Sequence, residues 1–292
     1  MVGSLTDFSI RQVTISLLCV CSIGPQVSRH RDVYWRDHNG GEVAELITSD
    51  VDELGDFWAK AVYPYTAPIV GVDRNRRPSP VGSAIVVACY GRKYLLTAHH
   101  VTATHLPGAY AIPDSPLYAY VPQQWEISGT TNYFDDPFDL SMTEISPTPH
   151  PALRFPQHFA FDVRAHELCL IFGFPARSKS WHLDQTRHTL RPAPLSYLGS
   201  VFTASAGKFT VRLSRKNVHR SGKRLPRIGK LEGISGGGAF VLRNDAPKLA
   251  GIVIEYHSNS VEILCTSCVI VREMVRQLGT FLVPHSAPQA GT

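Results

Sequence analysis

Ser235 lies in the run Glu232-Gly233-Ile234-Ser235-Gly236-Gly237-Gly238, with one glycine two positions before it and three directly after it. Glycines so placed suit a backbone that turns sharply and lets a carbonyl group approach two main-chain amides, which is what a serine nucleophile in acyl transfer requires. Far upstream, Leu96-Thr97-Ala98-His99-His100-Val101 offers an imidazole, a group that takes up and returns a proton near neutral pH. Between the two, Asp135, Asp136 and Asp139 compete to be the carboxylate that orients it. Asp135 and Asp136 precede Pro137 and read as solvated turn residues. Asp139 opens the run Leu140-Ser141-Met142 and can be held at the edge of a strand, so it is preferred.

Taken in order, these segments resemble the trypsin/chymotrypsin-like serine peptidase family, in which Thr-Ala-x-His carries the base, Asp-Leu-Ala/Ser the orienting acid and Gly-x-Ser-Gly-Gly the nucleophile. The resemblance covers roughly residues 65 to 280. It implies an endopeptidase that works through a covalent acyl-enzyme on protein or peptide substrates, without a cofactor. By the family pattern His100 rather than His99 is the base, Asp139 the acid, Ser235 the nucleophile, and the amides of Gly233 and Ser235 form the oxyanion hole. The substrate pocket would have Gly229 at its floor and Ile254-Glu255-Tyr256 as its wall. Tyr256 stands where glycine often keeps that pocket open, so a small side chain is expected there; no acidic residue floors it to favour Arg or Lys.

The sequence departs from the digestive members at two positions. Ile234 occupies the place of the aspartate that pairs with a newly released amine, so Pro68-Ile69-Val70-Gly71 is expected to be a plain first strand. Gly238 replaces a frequent proline and loosens the turn after the serine.

The elements that must hold these groups are mostly short β-rich runs punctuated by Gly and Pro: residues 84–90, 93–98, 140–145, 167–174, 196–204, 209–214, 239–242 and 249–256. Such a pattern predicts an all-β barrel or sandwich. The resemblance narrows it to a two-barrel chymotrypsin-like fold with a short C-terminal helix over residues 271–278. Before it, Ser49 and Asp52 match a helix cap, and Val51, Leu54, Phe57, Trp58, Ala61 and Val62 lie at helical spacing up to Pro64. Residues 24–45 read as a polar connector. The expected organisation is an extension over 1–62 with one helix, a peptidase domain over 63–283 and a tail over 284–292.

A chain of 292 residues, 43% hydrophobic, can bury a full core. The formal net charge of +5 argues for solubility more than for nucleic acid. Lys208, Arg212, Arg215, Lys216, Arg220, Lys223, Arg224, Arg227 and Lys230 form a run without an acidic residue. It reads as a solvated hairpin, or as a device that steers acidic substrates; with Phe209 as its one aromatic residue it fails as a single-strand nucleic-acid platform. Six cysteines scatter without a disulfide framework, and Cys265-Thr266-Ser267-Cys268 has no second pair, so no metal is expected. The apolar run over residues 13–23 is too short to span a bilayer, and a cytoplasmic chain is preferred to a secreted one. An idle protease fold acting as a binding module is the competing reading; the presence of all three candidate catalytic residues favours catalysis. Nothing in the sequence speaks to oligomeric state.

Overall fold

The computed structural model describes residues 48–282 apart from segments 73–77, 104–108, 112–116, 119–125, 128–136, 146–147, 176–181, 185–188, 192–193, 214–217, 221–222, 225–230, 232, 245 and 259. The apolar run at 13–23, the connector, Asp135, Asp136 and Gly229 lie outside the described residues, as do Arg215, Lys216, Arg227 and Lys230. The chain separates into two units, Met1–Val51 and Asp52–Thr292. In the first, residues 48–51 are described, and all are helical.

Helix α1 (Thr48–Val62) is followed by a single 3-10 turn (Tyr63–Tyr65) that contains Pro64. Trp58 and Val62, four residues apart on one stripe, are buried, and Gly55 faces Leu198 of the barrel. Phe57 was expected on that stripe, yet it is 48% exposed. One residue from Trp58 is about 100° of helical rotation, which carries Phe57 to the flank of the buried face.

Two sheets follow. The first comprises β1 (Thr66–Val72), β2 (Pro78–Cys89), β3 (Arg92–Ala98), β4 (Ala109–Ala111), β5 (Leu117–Tyr118), β6 (Glu126–Ile127), β7 (Leu140–Glu144) and β8 (Leu153–Arg154). Its order is β5-β4-β1-β2-β3-β7-β6, with β8 beside β2. No pairing among the described residues joins its two ends. Ile69 sits inside β1, opposite Gly82, so the segment Pro68–Gly71 is strand. Ala67, Ala84, Val86, Leu95, Val101 and Ile145 pack the core on one side of this sheet.

The second sheet is built from β9 (Leu168–Gly173), β12 (Leu195–Ala204), β13 (Lys208–Arg212), β16 (Gly238–Arg243), β17 (Ala246–His257) and β18 (Glu262–Ser267). The order β13-β18-β17-β16-β9-β12 is closed by pairing of β12 with β13, giving a six-stranded barrel. Closure leaves these strands no open edge. Cys169, Ile171, Val201, Phe209, Val211, Ala239, Val253 and Cys265 fill it. Two ribbons accompany it: β10 (His182–Asp184) with β11 (Thr189–Arg191), and the hairpin β14 (Val218–Arg220) with β15 (Lys223–Arg224), attached to β12. Helix α3 (Cys268–Leu282) starts directly from β18. Strand β18 was absent from the expected set, because Glu262, Thr266 and Ser267 break the apolar pattern; its partners β13 and β17 supply its hydrogen bonds.

Cys89, Cys169, Cys265 and Cys268 are free and buried. Among the described residues no cluster of metal ligands occurs, and no helix is long and apolar enough to cross a membrane.

Trp58→Ala should destabilise the fold by about 3–5 kcal/mol, read as a lowered denaturation midpoint. His150 is fully buried, and burial holds its imidazole below the ordinary value, with Lys93 adding to that effect and a hydrogen bond to Pro151 O opposing it. A folded-state value below the unfolded one means that stability is complete above pH ~6.5 and falls as the pH drops through the unfolded imidazole range. Tm should therefore decline from pH 7.5 to pH 5, and His150→Leu should flatten that decline; an unchanged slope in the variant would assign it to other groups.

Candidate active site

Strand β3 leaves the core at Ala98 and passes straight into the short helix α2 (His99–Ala103), so His100 is carried on the end of a strand whose last five residues are buried. Strand β7 is its neighbour, with Ala98 opposite Leu140. That register places Asp139, the residue before β7, against the helix. Asp139 Oδ2 lies 2.5 Å from His100 Nδ1, and Oδ1 accepts the His100 main-chain N–H at 2.9 Å. The Asp139 carbonyl also accepts the His99 N–H at 2.9 Å. A carboxylate on Nδ1 favours the tautomer protonated there, which leaves Nε2 as the basic nitrogen. Asp139 has φ of 49°, in the left-handed region that Asp tolerates better than most residues. Its preceding residue is tied to the other sheet: Thr266 Oγ1 donates to the Phe138 carbonyl at 2.5 Å, and Gly207 leaves room for the Phe138 ring.

The serine segment consists of two successive turns. Ile234 N–H donates to Leu231 O at 3.0 Å, and Gly237 N–H donates to Ile234 O at 2.9 Å. The third residues of these turns, Gly233 and Gly236, have φ of 86° and 82°, as a type II turn demands. A turn of this kind commits the N–H of its fourth residue and leaves those at its second and third positions unused. Gly236 N–H is taken by Val253 O at 2.7 Å. The amides of Gly233 and Ser235 donate to no acceptor among the described residues.

The loop is set by contacts as much as by conformation. A Cβ on Gly236 would fall 1.9 Å from Ser83 O, and one on Gly237 would fall 2.5 Å from Phe172 O. Ile234 is buried in the barrel core, where it packs against Gly173. Ser235 Oγ donates to Ile254 O at 3.4 Å, a long bond. Ile254 is accessible to it because β17 bulges between Val253 and Glu255.

His100, Asp139 and Ser235 line one cleft of about 650 Å³ together with Ile254, Glu255 and Tyr256. The structure therefore gathers the expected wall residues at the serine, while the expected floor, Gly229, lies outside the described residues. Lys208, Leu231 and Leu264 also line the cleft and were not anticipated there; Lys208 was noted only as the start of the basic run. Arg212, two alternations further along the same face of β13, is paired with Glu262 at 3.2 Å and lies over the Phe202 ring.

No protein-family model and no curated protein matches this sequence. Solved structures do. A serine endoprotease from Yersinia pestis superposes with a TM-score of 0.50 at 14% identity, covering 76% of this chain and 66% of that one. This chain has the chymotrypsin-like fold of the serine peptidases. A thermostable serine protease, AL20, from an extremophilic microorganism gives 0.49 at 13% identity over 76% of this chain and 99% of that one. The HtrA-type protease AlgW, solved with a tripeptide, gives 0.48 at 16% identity over 80% of this chain and 64% of that one. This chain spans just under two thirds of the length of the Yersinia and AlgW chains. In its chymotrypsin-like fold, the first sheet brings the histidine and aspartate, and the closed barrel brings the serine.

The turn geometry yields a graded prediction. Gly91 has φ of 75° and open space around its missing Cβ, so Gly91→Ala should cost only the conformational strain, about 1–2 kcal/mol. Gly236→Ala adds a collision with Ser83 O and should cost roughly 1–3 kcal/mol more. Chemical denaturation of the two variants measures the difference; equal losses would show that the serine loop relaxes freely.

Proposed function

We propose that this chain is a serine endopeptidase with His100 as base, Asp139 as its orienting acid and Ser235 as nucleophile. The observation that carries the reading is the grip of both Asp139 carboxylate oxygens on His100, in a cleft shared with Ser235, whose own amide and that of Gly233 have no acceptor among the described residues. In the proposed cycle Ser235 Oγ releases its bond to Ile254 O and attacks the scissile carbonyl carbon, while His100 Nε2 takes the hydroxyl proton. The tetrahedral oxyanion is bound by the N–H groups of Gly233 and Ser235. Asp139 stabilises the imidazolium so formed. Collapse breaks the C–N bond, His100 gives its proton to the leaving amine, and the acyl group remains on Ser235. Water activated by His100 then adds to the ester; collapse breaks the C–O bond, returns the proton to Ser235 and releases the carboxylic acid.

Tyr256, on the cleft wall beside Glu255, supports a narrow pocket that takes a small side chain. Gly229 keeps its place as the expected floor of that pocket. Among the described members of the basic run, Lys208 alone lines the cleft, so any steering of acidic substrates would act through it at close range.

Ser235→Ala and His100→Ala should each lower kcat by roughly four to six orders of magnitude with the fold retained, because the groups act as a unit. Asp139→Asn should lower it by about four orders, through the wrong imidazole tautomer. Labelling with a fluorophosphonate, followed by mass spectrometry, should place the adduct on Ser235. A labelled Ser235→Ala variant would remove the assignment; a cleft that takes no label but binds peptide would favour the idle binding module. Since Ile234 is buried in the core and Ile69 lies within β1, activity should not require a new terminus at Ile69. The mass of the active species tests this, and finding activity confined to a form that begins at Ile69 would contradict it.

A further inference from the structure

Ser83 is fully buried in β2, in the first sheet, yet its N–H and its hydroxyl both donate to the serine loop of the barrel. Its N–H donates to Ser235 O at 2.9 Å. Its hydroxyl donates to Gly233 O at 3.1 Å and accepts the Phe174 N–H at 2.8 Å. On the other side, its carbonyl accepts Thr97 Oγ1 at 2.7 Å. Thr97 stands three residues before His100 on the strand that carries it. One residue thus joins the base-bearing strand to the nucleophile loop, and every polar atom of that residue is used.

The main-chain half of this link needs only a backbone. The hydroxyl half needs serine, and the barrel is shaped to receive it: a Cβ on Gly173 would stand 2.9 Å from Ser83 Oγ and 3.2 Å from Ile234. The hydroxyl therefore occupies space that the glycine leaves open. Holding Gly233 O on one side of the turn fixes the plane of the Gly233–Ile234 peptide, and with it the conformation between the two uncommitted amides. Without the hydroxyl, Gly233 O would lose its Ser83 donor, and the turn would be free to reorient towards other partners.

We propose that the Ser83 hydroxyl is a positioning group that locks the Gly233–Ser235 turn in the conformation that presents both amides to the cleft. The consequence for catalysis rests on the peptidase reading above, whereas the lock itself can be measured without it.

The lock is tested by amide hydrogen exchange on the full chain. In Ser83→Ala, exchange over residues 231–238 should rise at least tenfold, while the other barrel strands keep their protection. Gly173→Ala, which displaces the hydroxyl, should produce the same local pattern. Unchanged exchange over 231–238 in both variants would overturn the proposal, and so would a uniform rise across the barrel.

The catalytic consequence is read on the active enzyme. Ser83→Ala should lower kcat by about 10- to 100-fold, as expected for a small misplacement of catalytic groups, with KM little changed. Affinity for a peptide aldehyde, whose adduct carries the oxyanion, should fall by a similar factor, and affinity for the corresponding peptide acid should not. Val211→Ala, a core truncation in the same barrel, provides the comparison for stability loss alone; equal kcat losses in Val211→Ala and Ser83→Ala would refute a positioning role. If wild type neither cleaves peptides nor takes the fluorophosphonate, the peptidase reading fails, and the exchange experiment still decides whether Ser83 locks the loop.

Discussion

Everything at this site depends on holding two packed cores in one register. His100 and Asp139 belong to the first sheet and Ser235 to the closed barrel, and the two cores meet where Ile254 of β17 joins the packing of the first sheet. Hydrophobic burial is non-directional, so it cannot set the relation between them. Directional bonds across the junction can: Ser83 N–H to Ser235 O, Ser83 Oγ–H to Gly233 O, and Thr266 Oγ1–H to Phe138 O. The first two fix the serine loop to the first sheet. The third fixes the aspartate segment to the barrel.

Glycine makes such close approach possible. At Gly236 and Gly237 the missing side chains let main-chain carbonyls of β2 and β9 come within about the distance of a single Cβ. The two turns set by the positive φ of Gly233 and Gly236 leave the amides of Gly233 and Ser235 without an acceptor among the described residues, a condition normally disfavoured for partly buried backbone.

Strand pairing contributes the remaining order. The β3–β7 register sets Asp139 beside His100, and the bulge in β17 exposes the carbonyl of Ile254 to Ser235. A slip of one residue in β3–β7 would turn the aspartate away from the imidazole and would also exchange Leu140 and Met142 with Ser141 and Thr143 between the two buried faces of β7, so packing itself guards the alignment.

The local signatures were legible in the sequence because chemistry constrains them locally. Gly-Ile-Ser-Gly-Gly-Gly can be read as a turn, Asp139 can be separated from Asp135 and Asp136 by its apolar sequel, and the strand runs carry their own pattern. What the sequence alone left open is long-range. Ser83 and Ser235 are 152 positions apart in the chain, and nothing in the run around Ser83 announces a partner. Thr266 was hidden in a segment read only for its cysteines, and Phe57 was placed on the buried face by a period that does not say how wide that face is. Local backbone preferences and the residue types that do chemistry are written along the chain. Which hydroxyl meets which carbonyl, and which carbonyls crowd which glycine, is decided only when two sheets are packed against each other, because those energies depend on distances that no local spacing encodes.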